Sequence, residues 1–292
     1  MLQRLRARHP IVYCILAEVL FLGIMLGITF VLSLCLFLLD ASGPLDANPY
    51  AYTVIQELIG IAVAVLLLAR TGRLKVLTHR GCGLFNGLLV GMYPLLLVSS
   101  ALALNLMALP SDQPMLPAVQ VVSFLAGMAL VGVAEEMAFR GIVAQTLLEH
   151  FGTSRAGVWK ACLLSGLLFG AAHLINMAGS TPFGVLMQSV FAASLGTMYA
   201  AIYFRTGNLW VTVVLHAGMD ITSMLVGGLY GTVTVSEAVS GYDATRLLSL
   251  LIYLLPTLFL LRKKKIGEVA LYSGDLWRQA QPTARRSWDP EQ

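Results

Sequence analysis

The sequence predicts an all-α, polytopic membrane protein with about eight transmembrane helices and a polar cavity inside the bilayer. Three observations carry that expectation. Of 292 residues, 58% are hydrophobic and only 12% charged, whereas a soluble domain is about 25% charged. Eight apolar runs approach the ~20 residues that a spanning helix needs. Several ionisable residues fall inside those runs, where an unpaired charge is costly.

The runs cover about 11–39, 50–69, 83–108, 117–148, 156–176, 182–204, 207–229 and 244–261. The first follows the basic start "MLQRLRARHP". It is far longer than the roughly 7–15 residues of a signal-peptide core, so it reads as a retained anchor. The fourth turns polar halfway along. The fifth contains Gly166 and Gly170 at a spacing suited to close helix contact.

Charge between the runs predicts orientation. Arg4, Arg6 and Arg8 precede the first run, and Arg70, Arg73, Lys75 and Arg80 follow the second. Arg155 and Lys160 follow the fourth, Arg205 the sixth, and "RKKK" at 262–265 the last. The alternate connections at 40–49, 110–114, 176–182 and roughly 230–243 hold no Lys or Arg. By the positive-inside rule both termini are cytoplasmic, which an even number of spans allows. The net charge of +4 is thus explained by membrane topology, and no nucleic-acid partner is expected. The residues after Lys265 read as a polar tail with little order.

The four cysteines, Cys14, Cys35, Cys82 and Cys162, show no CxxC or repeated spacing. Three of them lie in apolar runs and read as small core hydrophobes rather than a disulfide or zinc framework.

Inside the runs lie Glu18, Glu57, Glu135, Glu136, Arg140, His173, His216 and Asp220. At 1.5 Å per residue, Glu135, His173, His216 and Asp220 all fall roughly 15–27 Å from the cytoplasmic ends of their helices, one central band of a bilayer about 30 Å thick. Glu136 and Arg140 are i,i+4 and can neutralise each other. Glu135, turned by about 100°, is left free to face a cavity. His216 and Asp220 are also i,i+4, so Asp220 can fix the imidazole tautomer. Phe169 and His173 share a helix face one turn apart. Glu18 and Glu57 have no patterned neighbours and read as packing or cavity residues.

These groups suit hydrolysis. A carboxylate in a water-poor pocket can act as a general base, the expected role of Glu135. His173 can hold the same water or protonate a departing amine. His216 and Asp220 can face an oxyanion, provided that Asp220 carries a proton, since an ionised Asp only accepts.

The motifs "EEMAFR" (135–140), "FGAAH" (169–173) and "HAGMD" (216–220) read as EExxxR, FxxxH and HxxxD in that order. Together they resemble the CPBP family of intramembrane proteases. That family takes in the type II CAAX prenyl endopeptidases, the bacteriocin-processing and self-immunity proteins, and the lysostaphin-resistance-A-like proteins. The resemblance runs from about 117 to 229 and implies peptide-bond hydrolysis in a membrane cavity. It assigns water activation to Glu135 and His173, oxyanion stabilisation to His216 and residue 220, and supporting roles to Glu136 and Arg140. The CAAX endopeptidases usually carry Asn at the last position, and Asp220 departs from that. The departure favours Asp220 as an orienter of His216.

Metal is weighed both ways. Glu135, His173 and His216 match a His₂Glu zinc set in type, but no HExxH is present. The expectation is a metal-free mechanism with zinc as the alternative. Overall the residues suggest membrane helices 1–3 over 1–116, a catalytic core of helices 4–7 over 117–229, a last span with a basic end over 230–265, and a cytoplasmic tail over 266–292. The expected activity is an endopeptidase of the plasma membrane, acting on a membrane-associated peptide or protein. A proton-coupled transporter and a non-catalytic immunity or scaffold protein are the alternatives.

Overall fold

The computed structural model describes residues 2–273. Helix makes up 82% of it, and no strand occurs among the described residues. Apolar runs of 20 residues or more leave the backbone no hydrogen-bonding route in lipid except the helix itself.

Among the described residues, five helices are long and apolar enough to cross a membrane. They are α1 (Pro10–Leu38), α2 (Ala51–Arg70), a helix over Ala118–Phe151, another over Arg155–Ala178, and one over Pro182–Thr206. Two bent pairs raise the count to seven. In the first, α3 (Leu84–Val90) meets α4 (Met92–Met107) at 85°. Gly91 sits at the break, and Pro94 lacks the N–H that would tie it back across the turn. In the second, Ala244–Leu260 meets Lys263–Tyr272 at 63°, the break falling where the basic run 262–265 begins. The seventh apolar run, 207–229, is broken into shorter helices over Leu209–Ser223 and Leu225–Tyr230. By length and composition the described residues hold five to seven spans against the eight expected from hydropathy, the difference lying in the two bent pairs and the broken run 207–229. Large apolar side chains such as Phe30, Phe37, Leu104, Met107 and Phe259 face outward, as lipid contact allows.

The long helices are not uniform. The Ala118–Phe151 helix begins as α5 (Ala118–Glu136) and then widens into a π turn over Met137–Ala144. Such turns often occur at functional sites. The Arg155–Ala178 helix is α6 (Arg155–Ala172) followed by a tighter 3₁₀ turn over His173–Ala178. Ser154 and Thr181 cap α6 and α7 (Pro182–Thr206) by accepting from Gly157 N and Gly184 N. Gly207, at φ +61°, ends α7 in a left-handed turn that glycine adopts without a Cβ clash. Asn208 then caps α8 (Leu209–Ser223) by accepting from Trp210 N.

Glycines decide how closely these helices approach. A Cβ on Gly166 would lie 2.5 Å from the Ala193 carbonyl, and one on Gly170 the same distance from the Ser189 carbonyl. Both glycines of the "SGLLFGAAH" stretch therefore bed α6 on α7. Gly132 of α5 faces α8, where a Cβ would lie 2.9 Å from Ala217 N. A Cβ on Gly60 of α2 would lie 3.4 Å from Ala134 Cβ. α7 is the centre of the bundle, and its half from Leu195 to Thr206 is buried throughout.

At one end of the bundle Glu149 pairs with both Arg6 and Arg73, the latter at 2.6 Å. Arg205 pairs with Glu268 at the same kind of helix end, and Lys265 joins them. Residues after Lys265 are not an irregular tail as far as they are described. Ile266–Tyr272 is helical, buries Val269, and is held to α7 by Ser273 Oγ donating to the Phe204 carbonyl at 2.7 Å. The remainder of the expected tail, 274–292, lies outside the described residues.

Candidate active site

Glu135 and Glu136 close α5 where it enters the π turn, and their two environments differ. The Glu136 side chain is fully buried, whereas that of Glu135 keeps a quarter of its surface exposed. Arg140 Nη1 lies 2.9 Å from Glu136 Oε1, with both side chains completely buried. The guanidinium is sandwiched between Phe169, 4.5 Å from the ring centre, and Tyr199, 5.5 Å away. Cation–π contact replaces part of the hydration that burial removes.

Glu136 has a second partner. His216 Nδ1 donates to the same Oε1 at 2.7 Å. The close approach of Gly132 to Ala217 brings the two helices near enough for this bond. With Nδ1–H committed to Glu136, Nε2 is the nitrogen presented to the cavity. It lies 3.6 Å from Glu135 Oε2 and 3.5 Å from Asp220 Oδ2. Orientation of His216 thus falls to Glu136, from another helix, and not to Asp220 as its i,i+4 spacing suggested. Asp220 instead faces the reactive nitrogen, and its Oδ2 has no hydrogen-bond partner.

His173 stands where α6 tightens into the 3₁₀ turn. Its backbone N–H bonds back to Ala171 and Gly170 rather than a full turn back. That leaves the Phe169 carbonyl open, and His173 Nδ1 lies on it at 2.8 Å. Since a carbonyl only accepts, Nδ1 carries the proton, and a neutral ring presents Nε2 as an acceptor. The Phe169 ring touches both imidazoles edge-on, at 4.9 Å to His173 and 5.8 Å to His216. His173 is therefore one phenyl ring from His216, and no hydrogen bond or ion pair joins it to Glu135, His216 or Asp220 among the described residues.

Two further residues stand beside these groups: Glu57, which the sequence marked only as a packing or cavity residue, and Tyr199, which it did not single out. Glu57 of α2 is 5% exposed and lies within electrostatic range of Glu135, Asp220 and His216. It accepts from Gln56 Nε2 at 3.4 Å. Its signal was available, since it is an acid in a 20-residue apolar helix, but nothing in its own run pointed to a partner. Tyr199 of α7 sits 5.8 Å from His216 with its hydroxyl buried and unpartnered. It reads in sequence as one aromatic among many. Glu18, by contrast, makes no contact with these groups among the described residues.

The zinc alternative needs Glu135, His173 and His216 around one point. No three His, Cys, Asp or Glu side chains among the described residues come together as a metal-holding group. Each histidine holds Nδ1 on a protein oxygen and leaves Nε2 outward, the tautomer that a metal-ligating imidazole also adopts.

No curated protein and no solved structure matches the chain. Residues 117–222, which contain Glu135, Glu136, Arg140, His173, His216 and Asp220, match a family model described as type II CAAX prenyl endopeptidase Rce1-like. The segment that builds α5 to α8 of this multi-pass membrane chain is thus similar to the Rce1-like family over about a third of the chain's length.

Proposed function

We propose that the protein is an intramembrane endopeptidase that hydrolyses a peptide bond by a glutamate-activated water. The observation that carries this reading is the meeting of Glu135, Asp220 and His216 Nε2 within 3.6 Å, above a fully buried Glu136–Arg140 pair. Of two adjacent carboxylates, only Glu135 has exposed surface from which to reach water.

In this scheme the Glu135 carboxylate takes a proton from water as the water oxygen bonds to the peptide carbonyl carbon. His173 Nε2 accepts the other water hydrogen and fixes the nucleophile's direction. The carbonyl electrons move onto oxygen, and the oxyanion faces His216 Nε2–H in the imidazolium form and a protonated Asp220. Breakdown sends the C–N electrons to nitrogen, which takes the proton from Glu135 and leaves as the amine. The carboxylate is regenerated, and water and peptide become acid and amine. Glu136 and Arg140 touch no reacting atom; they position His216.

The substrate is a peptide or protein held at the bilayer, and we place the enzyme in the plasma membrane with both termini cytoplasmic. Gathering of Arg6, Arg73 and Arg205 in ion pairs at helix ends supports that sidedness. The test incubates purified protein with membrane-anchored peptides, with and without a chelator, and reads products by mass spectrometry. Cleavage that survives chelation and falls by at least about 100-fold in Glu135→Gln, with an unchanged unfolding midpoint, is expected. Normal turnover in that variant removes the base from the scheme.

A further inference from the structure

A second cavity, of about 370 Å³, lies between α7 and the last apolar helix, and none of the active-site residues lines it. Its floor is aromatic: Phe191 of α7 and Tyr253 meet edge-on at 5.5 Å. Its rim is polar, formed by the connection that leads through Tyr242 into the 3₁₀ turn Ala244–Leu248. Arg246 stands between, its guanidinium 3.8 Å from the Tyr242 ring and 5.6 Å from the Phe191 ring. The guanidinium carbon thus lies over both rings, a cation–π contact that uses none of its N–H groups as hydrogen-bond donors to an oxygen. Among the described residues the Arg246 side chain makes no hydrogen bond and no ion pair. Asp243, its acidic neighbour, is occupied in capping the turn: Oδ1 accepts from Thr245 N at 2.9 Å and from the Thr245 hydroxyl at 2.5 Å. Ser249, 3% exposed, also lines the cavity, and its buried hydroxyl has no partner.

The remaining wall is lipid-facing. Leu248 and Ile252 line the cavity while keeping 56% and 42% of their surface exposed. The cavity thus joins a held cation and a free hydroxyl to an apolar side that opens sideways into the bilayer. A free anion has no use for that apolar wall, whereas a headgroup continuous with acyl chains fits both parts. We propose that this cavity binds the phosphodiester headgroup of a membrane phospholipid, with Arg246 and Ser249 as donors and the acyl chains along Leu248 and Ile252. Planar guanidinium edges match phosphate oxygens in pairs.

The test uses the purified full chain in detergent, titrated separately with phosphatidylglycerol, with diacylglycerol, and with inorganic phosphate. Retained lipid is read by native mass spectrometry and the unfolding midpoint by a thermal scan. Phosphatidylglycerol is expected to remain bound and to raise the midpoint, while the other two do neither. Arg246→Gln should weaken lipid retention by about tenfold or more, and Arg246→Lys by less, since it keeps charge without the planar fork. Equal retention by wild type and Arg246→Gln overturns the proposal. So does an equal response to diacylglycerol, which needs no phosphate, or to inorganic phosphate, which needs no tails. If Arg246→Gln does not fold, Ser249→Ala decides: lipid retention reduced several-fold supports the site, and unchanged retention overturns it. None of these readings depends on proteolysis.

Discussion

His216 Nδ1 and Glu136 Oε1, 80 residues apart in the chain, share a 2.7 Å hydrogen bond in a fully buried setting. Arg140 sits 2.9 Å from the same oxygen. One carboxylate atom therefore serves both the ion pair that permits burial and the imidazole that faces the cavity. Removing either partner leaves an uncompensated charge in a low-dielectric interior, at about 3–5 kcal/mol. Arg140→Ala and Glu136→Ala should each lower stability by that order, read as unfolding in detergent. Arg140→Lys, which keeps charge but loses the flat stack on Phe169, should fall between. An unchanged midpoint for Arg140→Ala means the pair contributes nothing.

Much of this was legible. The apolar runs marked the helices to within a few residues because lipid leaves the backbone one solution. The i,i+4 spacing of Glu136 and Arg140 put both on one face. Spacing within a helix gave no hint that His216 turns to Glu136 rather than to Asp220. That choice depends on how closely α5 and α8 approach, which is set by Gly132 and Ala217 together. The breaks at Gly91 and beyond Ser223, and the π turn after Glu136, depend on packing partners in the same way. Glu57 belongs here too: its neighbours sit on other helices.

The outward face of His216 supplies a sharper question about Asp220. Its Oδ2, 3.5 Å from His216 Nε2, has no hydrogen-bond partner. If Asp220 acts by lending a donor to the oxyanion, an amide can replace it, because an amide N–H needs no proton from solvent. Asp220→Asn should then keep turnover within about tenfold, while Asp220→Ala loses about 10²–10³-fold. Steady-state cleavage of one anchored peptide by both variants gives the comparison. Equal loss in the two means that the carboxylate charge is what matters.

Helix approach can be tested apart from chemistry. A Cβ at Gly132 meets Ala217 N at 2.9 Å and Ala217 Cα at 3.1 Å. Those are backbone atoms, so the helices must separate. Gly132→Val should cost roughly 1–3 kcal/mol and should lower cleavage beyond what lost folded protein explains, because Glu136 and His216 are drawn apart. Gly23 of α1 has open space around its Cβ position, and Gly23→Val is the matched control with little effect on either measurement. Parallel loss in both variants would trace the effect to valine in a membrane helix rather than to this contact.

The charged arm beyond the 63° bend, at the end of the chain's described part, offers a pH test. Partial burial raises the Glu268 carboxyl, but contacts with Lys265 and Arg205 outweigh it and hold the group below its ordinary 4.5. Arg205 Nε donates to it at 2.9 Å and Nη2 at 2.5 Å. A carboxyl that binds its proton more weakly when folded stabilises the docked helix above pH 4.5, and that contribution fades as pH falls through the lowered folded value. The Ile266–Tyr272 helix should therefore loosen from α7 in acid. Hydrogen exchange across 266–273, corrected for the intrinsic pH dependence, should rise below pH 4.5 in the wild type. In Glu268→Gln it should already be higher at neutral pH and change little on acidification. A wild-type acid response preserved in that variant would assign the transition to another group.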